Sequence, residues 1–580
     1  MNAGTVAENY HQTVLGAKFR ASAMPSDYAG ETHAISKSMQ SVNLRTVNLD
    51  GSFSDIKYRD NKHAGSTPFC SHGERLARLL QAYNIRRPLN YFWQNTTTKR
   101  WIIKSWEYLA YDAPENKDWN WWGVQIATPR SLWPGLFLSK EFIPEKLYND
   151  LIERYWTRVK VWDYARKDGK MSASNLANRA FQGLFEMYHQ NEKKFIERKT
   201  EVMELLGEEI VNKSSYQGEG VGADYCIHVH NMHVGLWEAP YYNSHLRLMI
   251  YNGGYGGEYL KRFAQIIILF QNTTFQVGEI VLSEFFNMFL ECHQYLCRGR
   301  TFEPTSVGRN IDDNQKVTFW AAYNSIYKVA SALLQLGYRT KELDNAISRF
   351  LNHGPNEKTA LVGNRALFAS DMIVHHRIGY MASVRMFSSR TVRPETWIGR
   401  RTNNPNGYYT GDGFVSVLQN DNEFGKRYNE VFQYYDWEKI PGTTVLYSGN
   451  VPQEGMERVG TPNFLHHISN ADFVGSASDG MYGAAAMVYD RPTVKFTMKK
   501  TWFFFDNEIV CMGSDISMRS GERFDTSNII TTLNQIVRYG PIGYSTAKSL
   551  HQYVDWNTTS ELVQTRWIHH ANIGCHYYTA

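Results

Sequence analysis

Tyr255 stands among four glycines, Gly253, Gly254, Gly256 and Gly257. Glycine has no Cβ, so such a run lets another stretch of chain come close to the tyrosine. A plain tight turn would use the same residues. The run lacks the Gly-Lys-Ser/Thr ending of a phosphate loop and is not read as a nucleotide site. Four histidine pairs raise metal chemistry: His228 with His230, His375 with His376, His466 with His467, and His569 with His570. None completes an HExxH or another full ligand set. Adjacent residues of a strand also face opposite sides, so no catalytic metal is expected. Trp121 and Trp122 are neighbours in a chain that holds 16 Trp, 36 Tyr and 30 Phe. Flat aromatic faces stack on the C–H faces of sugar rings, although a large aromatic core would use the same side chains. Asn175 falls where a loop gives way to a helical pattern, the place of an N-cap. The default fate of Arg309 is a surface salt bridge.

The elements that must hold these residues change character along the chain. Apolar residues recur at three- and four-residue spacings over 73–85, 146–162 and 177–211, and again in FAQIIILF, EIVLSEFFNMFLECHQYLC, VTFWAAYNSIYKVASALLQLGY and TKELDNAISRFLNH. This is the helical period. From about residue 365 the segments become β-branched and aromatic, as in RIGYMASVRMFSSRT and TVKFTMKKTWFFFDNEIVCMGSDI, with Gly, Asp and Asn turns between them. That is the signature of strands. Helices followed by strands predict an α+β multidomain protein rather than an alternating sheet. The expected domains are a helical one over 1–355 and an antiparallel β domain over 365–580, joined near 352–365. A length of 580 residues also calls for two cores.

The net charge of +5 is too small, and too free of Lys/Arg runs, for a nucleic-acid binder. Focused in one cleft, it suits a polyanion. The six cysteines are scattered without a CxxC pair, which excludes a zinc ribbon or a dense disulfide scaffold. The first twenty residues lack a basic segment followed by an apolar one, so no signal peptide is read there. No apolar run approaches the ~20 residues of a membrane span. Asn-x-Ser/Thr tripeptides at Asn95, Asn212, Asn272 and Asn557 permit secretion.

A series of short motifs points further. Asp-Trp-Asn-Trp-Trp at 118–122 is followed by Gln-Ile-Ala-Thr-Pro at 125–129, Ser-Asn-Leu at 174–176 and Asp-Tyr-Cys-Ile-His-Val-His-Asn at 224–231. Tyr-Asn-Gly-Gly-Tyr-Gly at 251–256 and Gly-Arg-Asn-Ile at 308–311 come next. The second half adds Ser-Ser-Arg-Thr at 388–391, Gly-Tyr-Tyr-Thr-Gly-Asp-Gly at 407–413, Pro-Gly-Thr-Thr at 441–444 and Lys-Thr-Trp-Phe-Phe-Phe at 500–505. In this order they resemble polysaccharide lyase family 8, the family of hyaluronate, chondroitin AC and xanthan lyases. The resemblance implies an N-terminal (α/α) helical toroid followed by an antiparallel β-sandwich. Family members usually run on past the point where this chain stops, so the sandwich is expected to be shortened at Ala580.

The resemblance also implies β-elimination from a uronic acid in a glycan such as hyaluronan or chondroitin, leaving a 4,5-unsaturated uronyl end. The carboxylate must be neutralised, a base must take the C5 proton, and an acid must protonate the departing O4. The family pattern maps the carboxylate-facing amide to Asn175 and the proton-transfer phenol to Tyr255. A free tyrosine has a pKa of ~10 and needs a cationic neighbour to act near neutrality; Arg309 matches that neighbour. His230 matches the family histidine by its flanking residues, whereas His245 is closer to the usual spacing. The stretch 231–246 looks inserted. Glu395 matches a carboxylate that supports the histidine and arginine. For substrate binding, Asn120, Trp121 and Trp122 match the aromatic patch. Arg300 is a stand-in for a second arginine replaced here by Asp313, and Asn403 or Asn404 stands for a displaced asparagine. No cofactor is expected for catalysis, which leaves room for a structural calcium. The implied partner is an anionic polysaccharide, with no nucleic acid and no membrane span, acted on by an extracellular monomer. Two other readings stay open: a non-catalytic glycan-binding protein on this scaffold, and a two-carboxylate glycoside hydrolase.

Overall fold

A computed structural model describes residues 46–60, 67–84, 90–114, 122–156, 173–190, 204, 206–211, 220–229, 248–273, 276–312, 317–394, 407–419, 432, 434–451, 468–522, 528–538, 540–548, 552–554, 561–570 and 573–576. Its contacts gather into two compact units. One comprises 1–229, 255–290 and 324–351; the other comprises 230–254, 291–323 and 352–580. Each is described by itself.

The first unit is built of helices. Helix α1 (Pro68–Asn84) starts earlier than the apolar period suggests, with Pro68 in its first turn, where a missing N–H costs nothing. After α2 (Thr96–Glu107), α1 packs against α3 (Thr128–Ser139). A Cβ on Gly73 would lie 2.8 Å from the Leu132 side chain, and one on Gly135 would lie 3.2 Å from Leu80 and Trp106. Small residues thus let these helices close in. Helices α4 (Glu145–Tyr155) and α5 (Ala173–Gln190) follow, and α5 packs on α6 (Gly257–Leu269). Helices α7 (Glu279–Asn287), α8 (Lys328–Leu333) and α9 (Thr340–Leu351) also belong to this unit.

Single π-helical turns break the regular period at Tyr108–Asp112, Gly123–Ala127, Asn252–Gly256, Met288–Cys292 and Tyr323–Tyr327. Such turns carry one extra residue and are frequent at functional sites. The apolar segment EIVLSEFFNMFLECHQYLC is therefore not one helix. It runs through α7, a π-turn and a 3-10 turn (His293–Leu296) and ends in a strand at Cys297.

In the second unit the long strands begin at Gly363. Strands β1 (Gly363–Leu367), β2 (Met372–His376), β3 (Met381–Arg385) and β4 (Phe414–Leu418) form an antiparallel sheet in sequence order. Val474–Ser478, Gly483–Tyr489, Phe496–Phe504 and Ile509–Met518 form a second one. Their inner faces share one core. Ile373, Ala382 and Val384 from the first sheet meet Met487, Phe496, Met498, Trp502 and Phe504 from the second. This is sheet-on-sheet packing with alternate residues turned inward. A further four-stranded antiparallel sheet is formed within 542–576. The six cysteines are free thiols.

Candidate functional site

Asn175 lies on α5, but not as its cap. The helix begins at Ala173, so Asn175 is already inside the first turn. Its side-chain Oδ1 is closed off from solvent and accepts no hydrogen bond from the described residues. A buried amide oxygen left unpaired costs about 1–3 kcal/mol, which marks Asn175 as a candidate binding group. The start of the helix is held instead by Glu209, which accepts the N–H of Ala173 at 2.6 Å. Glu209 is itself buried, and Gly220 (φ +115°) comes so close that a Cβ there would lie 2.5 Å from its Oε1. One turn further on, Gln182 donates to the Ile126 carbonyl at 2.8 Å, and Arg179 donates to Gln125. The Gln-Ile-Ala-Thr-Pro motif therefore serves to seat the helix that carries Asn175.

Trp122 directly precedes the π-turn Gly123–Ala127 and is half-buried, with the Arg130 guanidinium 5.3 Å above its ring. Arg130 donates to Glu258 at 3.0 Å, and Lys261 and Arg262 reach the same carboxylate at 3.1 and 2.9 Å. Arg262 also donates to Asn178 on α5 at 3.0 Å. Burial pushes the Glu258 carboxyl up, but the three cations outweigh it and hold it well below the usual range. Burial and the neighbouring cations bring Lys261 down to about 8 despite Glu258. This belt ties Trp122 and the Asn175 helix to the first turn of α6 and leaves positive charge in excess.

Tyr255, half-buried, sits in the π-turn Asn252–Gly256, which runs straight into α6. A side chain in the first turn of such a helix feels unpaired backbone N–H groups, a field that favours negative charge. The glycines around it are used for close approach. A Cβ on Gly257 would lie 2.3 Å from the Ser325 hydroxyl within the first unit. Within the second, a Cβ on Gly253 would meet Val307 at 2.6 Å and Phe302 at 3.0 Å. Asn252 is fully buried, and its Nδ2 lies 3.0 Å from His293 Nε2. Burial holds that imidazole neutral, with its pKa down at about 3.

Arg309 lies half-buried in the 3-10 turn Gly308–Asp312. Its backbone N–H donates to the Tyr251 hydroxyl at 3.1 Å. Arg300 is half-buried at the tip of the hairpin between Cys297–Arg298 and Thr301–Phe302. Upstream, Leu248 pairs with Thr391 in a parallel bridge, through Leu248 N–H to the Arg390 carbonyl (2.8 Å) and Val392 N–H to the Leu248 carbonyl (3.0 Å). The Ser-Ser-Arg-Thr motif thereby fixes the strand that leads to Tyr255. It is braced in turn by the buried carboxylate of Asp371, which accepts from Ser388 and Thr391 at 2.6 Å each and from Arg390 at 3.0 Å.

Other motifs do structural work away from these residues. Asp412 and Arg491 form a fully buried ion pair at 2.7 Å, with Tyr489 donating to the same carboxylate oxygen. Removing one partner of such a pair costs about 3–5 kcal/mol. Lys500 donates to the Gly442 carbonyl, and Trp502 covers Gly413. The Gly-Asp-Gly, Pro-Gly-Thr-Thr and Lys-Thr-Trp segments are thus packed parts of the sheet core. His375 and His376 bind opposite partners, the Phe505 and Tyr295 carbonyls, as neighbours on a strand must.

Asn120, Trp121, His230, His245, Glu395, Asn403 and Asn404 lie outside the described residues, as does 231–246. Among the described residues no three His, Cys, Asp or Glu side chains are grouped as metal ligands, and no helix is long and apolar enough to cross a membrane. Sequence reasoning passed over Glu209 and Tyr251. For Tyr251, the cue was a large ring four residues before Tyr255 in a run of glycines.

Known proteins share this plan. Polysaccharide lyase family 8, super-sandwich domain, matches residues 362–580. A chondroitinase-AC of Pedobacter heparinus is 26% identical over 545 residues, covering 92% of this chain and 68% of its own length. A xanthan lyase of Bacillus sp. strain GL1 is 23% identical over 455 residues, covering 73% of this chain but only 44% of its own. The structure of a chondroitinase AC lyase superposes with a TM-score of 0.74 at 22% identity, over 98% of this chain and 74% of the other. A Streptomyces coelicolor chondroitin AC lyase gives 0.70 at 17%, again over 98% and 74%. These likenesses carry the expected α+β fold, a helical (α/α) toroid region followed by an antiparallel β-sandwich. Residues 362–580 thus carry the polysaccharide lyase family 8 super-sandwich domain, and the chain as a whole is similar to lyases of that family.

Proposed function

We propose that this protein is a lyase that cleaves a uronic-acid-containing glycan, hyaluronan or chondroitin in kind, by β-elimination. The observation that carries the reading is Asn175: a half-buried amide in the first turn of a braced helix, with a buried Oδ1 that no donor among the described residues satisfies. Turned about its last bond, the amide presents its N–H₂ where its oxygen now stands, and that N–H₂ end donates to a uronate carboxylate. The excess of cations around Glu258, beside Trp122, supports a polyanionic chain stacked on an aromatic face.

In this mechanism Asn175 and His230 hold the carboxylate, so that charge developing on C5 is shared with hydrogen-bond donors. Tyr255, as phenolate, takes the C5 proton. The electron pair of that C–H bond forms the C4=C5 double bond, the C4–O4 bond breaks, and Tyr255 returns the proton to the departing O4. Arg309 and the first-turn backbone N–H groups favour the phenolate. Glu395 supports the histidine and arginine. Trp122 with Trp121 stacks the sugar chain, and Asn120, Arg300 and Asn403 or Asn404 bind it. No metal takes part, and a monomer works outside the cell, where such polymers are found.

The test is to incubate the protein separately with hyaluronan, chondroitin sulfate and xanthan while following ultraviolet absorbance. Elimination creates a conjugated uronyl double bond and the absorbance rises, which hydrolysis does not do. Tyr255→Phe should abolish the rise and still bind the polymer. A variant with a near-normal rate would remove Tyr255 from the proton-transfer role, and a flat trace from the folded protein on every uronate polymer would sink the lyase reading.

A further inference from the structure

The ring of Tyr251 lies buried between two glycines of two different segments. One is Gly254, the residue before Tyr255, where a Cβ would stand 2.7 Å from Tyr251 Cε1. The other is Gly308, the residue before Arg309, where a Cβ would stand 2.1 Å from Tyr251 Cζ. Gly308 also has φ +61°, a left-handed conformation that glycine adopts without strain. The hydroxyl of the same ring then accepts the backbone N–H of Arg309 at 3.1 Å. One rigid side chain thus touches the residue preceding each of the two proposed catalytic groups and hydrogen-bonds the second of them. Nothing in its burial or chemistry lets it reach a substrate, so its effect must pass through others.

The segment that carries Tyr251 is itself immobilised. Asn252 is bound at His293, Gly253 is wedged against Phe302 and Val307, and Leu248 is paired to Thr391. Val307, at the head of the Arg309 turn, shares the Gly253 contact, and the Tyr251 hydroxyl adds a direct hydrogen bond to the Arg309 backbone. A hydroxyl that binds the Arg309 N–H, beside a ring wedged between Gly254 and Gly308, therefore acts on where the Arg309 backbone stands.

We infer that Tyr251 is a positioning residue, a gauge block that fixes the Arg309 turn against the turn leading into Tyr255. The inference rests on the lyase reading, in which Arg309 tunes Tyr255. Tyr251→Phe keeps the ring in its two-glycine slot and removes the hydroxyl that accepts the Arg309 N–H. The slot is too tight for adjustment, so the lost hydroxyl shows as misplacement of Arg309 rather than as unfolding.

The experiment is a double-mutant cycle in kcat for uronate elimination, using Tyr251→Phe and Arg309→Ala. Tyr251→Phe should lower kcat by about 10- to 100-fold, the scale of a misplacement near 1 Å, with KM within about twofold. In the Arg309→Ala background the same change should cost little more, because Tyr251 acts through Arg309. Full multiplication of the two losses, or an unchanged kcat in Tyr251→Phe, would overturn the inference while leaving the lyase reading intact. Gly254→Ala is the second variant, should Tyr251→Phe not fold. Its Cβ presses on the ring from the other side and should lower kcat with KM kept; an unchanged kcat there also overturns the proposal. A wild-type protein with no elimination on any uronate polymer removes both readings at once, an outcome distinct from the others.

Discussion

Glu209 accepts the N–H of Ala173 at 2.6 Å, so a buried carboxylate from 36 residues downstream starts the helix that presents Asn175. A negative group at a helix N-terminus is stabilising in its own right. Replacing it separates two contributions. Glu209→Gln keeps an acceptor for Ala173 and loses the charge; Glu209→Ala loses both. We expect the alanine variant to lower kcat/KM by about tenfold and stability by about 1–3 kcal/mol, with most of the kcat/KM restored in the glutamine variant. Steady-state kinetics beside thermal melts decide it, and equal activity in all three proteins would detach Glu209 from Asn175.

Asn175→Ala should behave unlike the loss of a cap. A capping asparagine replaced by alanine costs about 0.5–2 kcal/mol, but the Oδ1 of Asn175 takes part in no hydrogen bond among the described residues. The variant should therefore melt within about a degree of the parent, or slightly above it, while elimination falls by about 100-fold or more, the scale of losing one preorganised donor. A clear drop in melting temperature with activity retained would return Asn175 to a structural role.

His293 links acidity to the frame around Tyr255. Its pKa is about 3 in the fold against 6.5 for a free imidazole, because burial excludes the charged form. A depressed histidine binds fewer protons folded than unfolded, so its contribution is intact above pH 6.5 and is lost as pH falls toward 3. The loss amounts to about 2 kcal/mol at pH 5. Protonation would also break the acceptance of the Asn252 amide hydrogen at Nε2. His293→Gln, which cannot be protonated, should flatten the fall of melting temperature between pH 6.5 and 4 relative to the parent. Parallel curves for the two proteins would disprove the assignment.

The legible part of this protein was local. The three- and four-residue periods of the first half and the alternation in FTMKKTWFF are visible because each element buries one face, and the structure places helices and strands there. The glycines around Tyr255 announced a close approach, and Phe302, Val307, Tyr251 and Ser325 are what approaches. Less was legible where a contact spans the sequence. The loop-to-helix junction suggested a cap at Asn175, because local sequence says nothing of Glu209 reaching back to Ala173. Arg309 looked like any surface arginine, because its distinguishing partner is a phenol 58 residues earlier. The π-turns were missed because one extra residue in a helix leaves the apolar pattern nearly unchanged. The Gly-Asp-Gly and Lys-Thr-Trp motifs were good family marks for a reason unrelated to chemistry: each packs against a partner that tolerates no larger neighbour.

The bridge between Leu248 and Thr391, locked by Asp371, has a consequence for how such a chain can vary. Seven residues before the proposed proton-transfer tyrosine, the backbone is re-zeroed against a rigid reference. Whatever length of chain arrives at Leu248, the path from there to Tyr255 starts from the same point. The stretch upstream can then lengthen, shorten or change composition as a free variable, mechanically insulated from the chemistry. A designer has, in the residues just before Leu248, a place to splice new sequence without moving Tyr255.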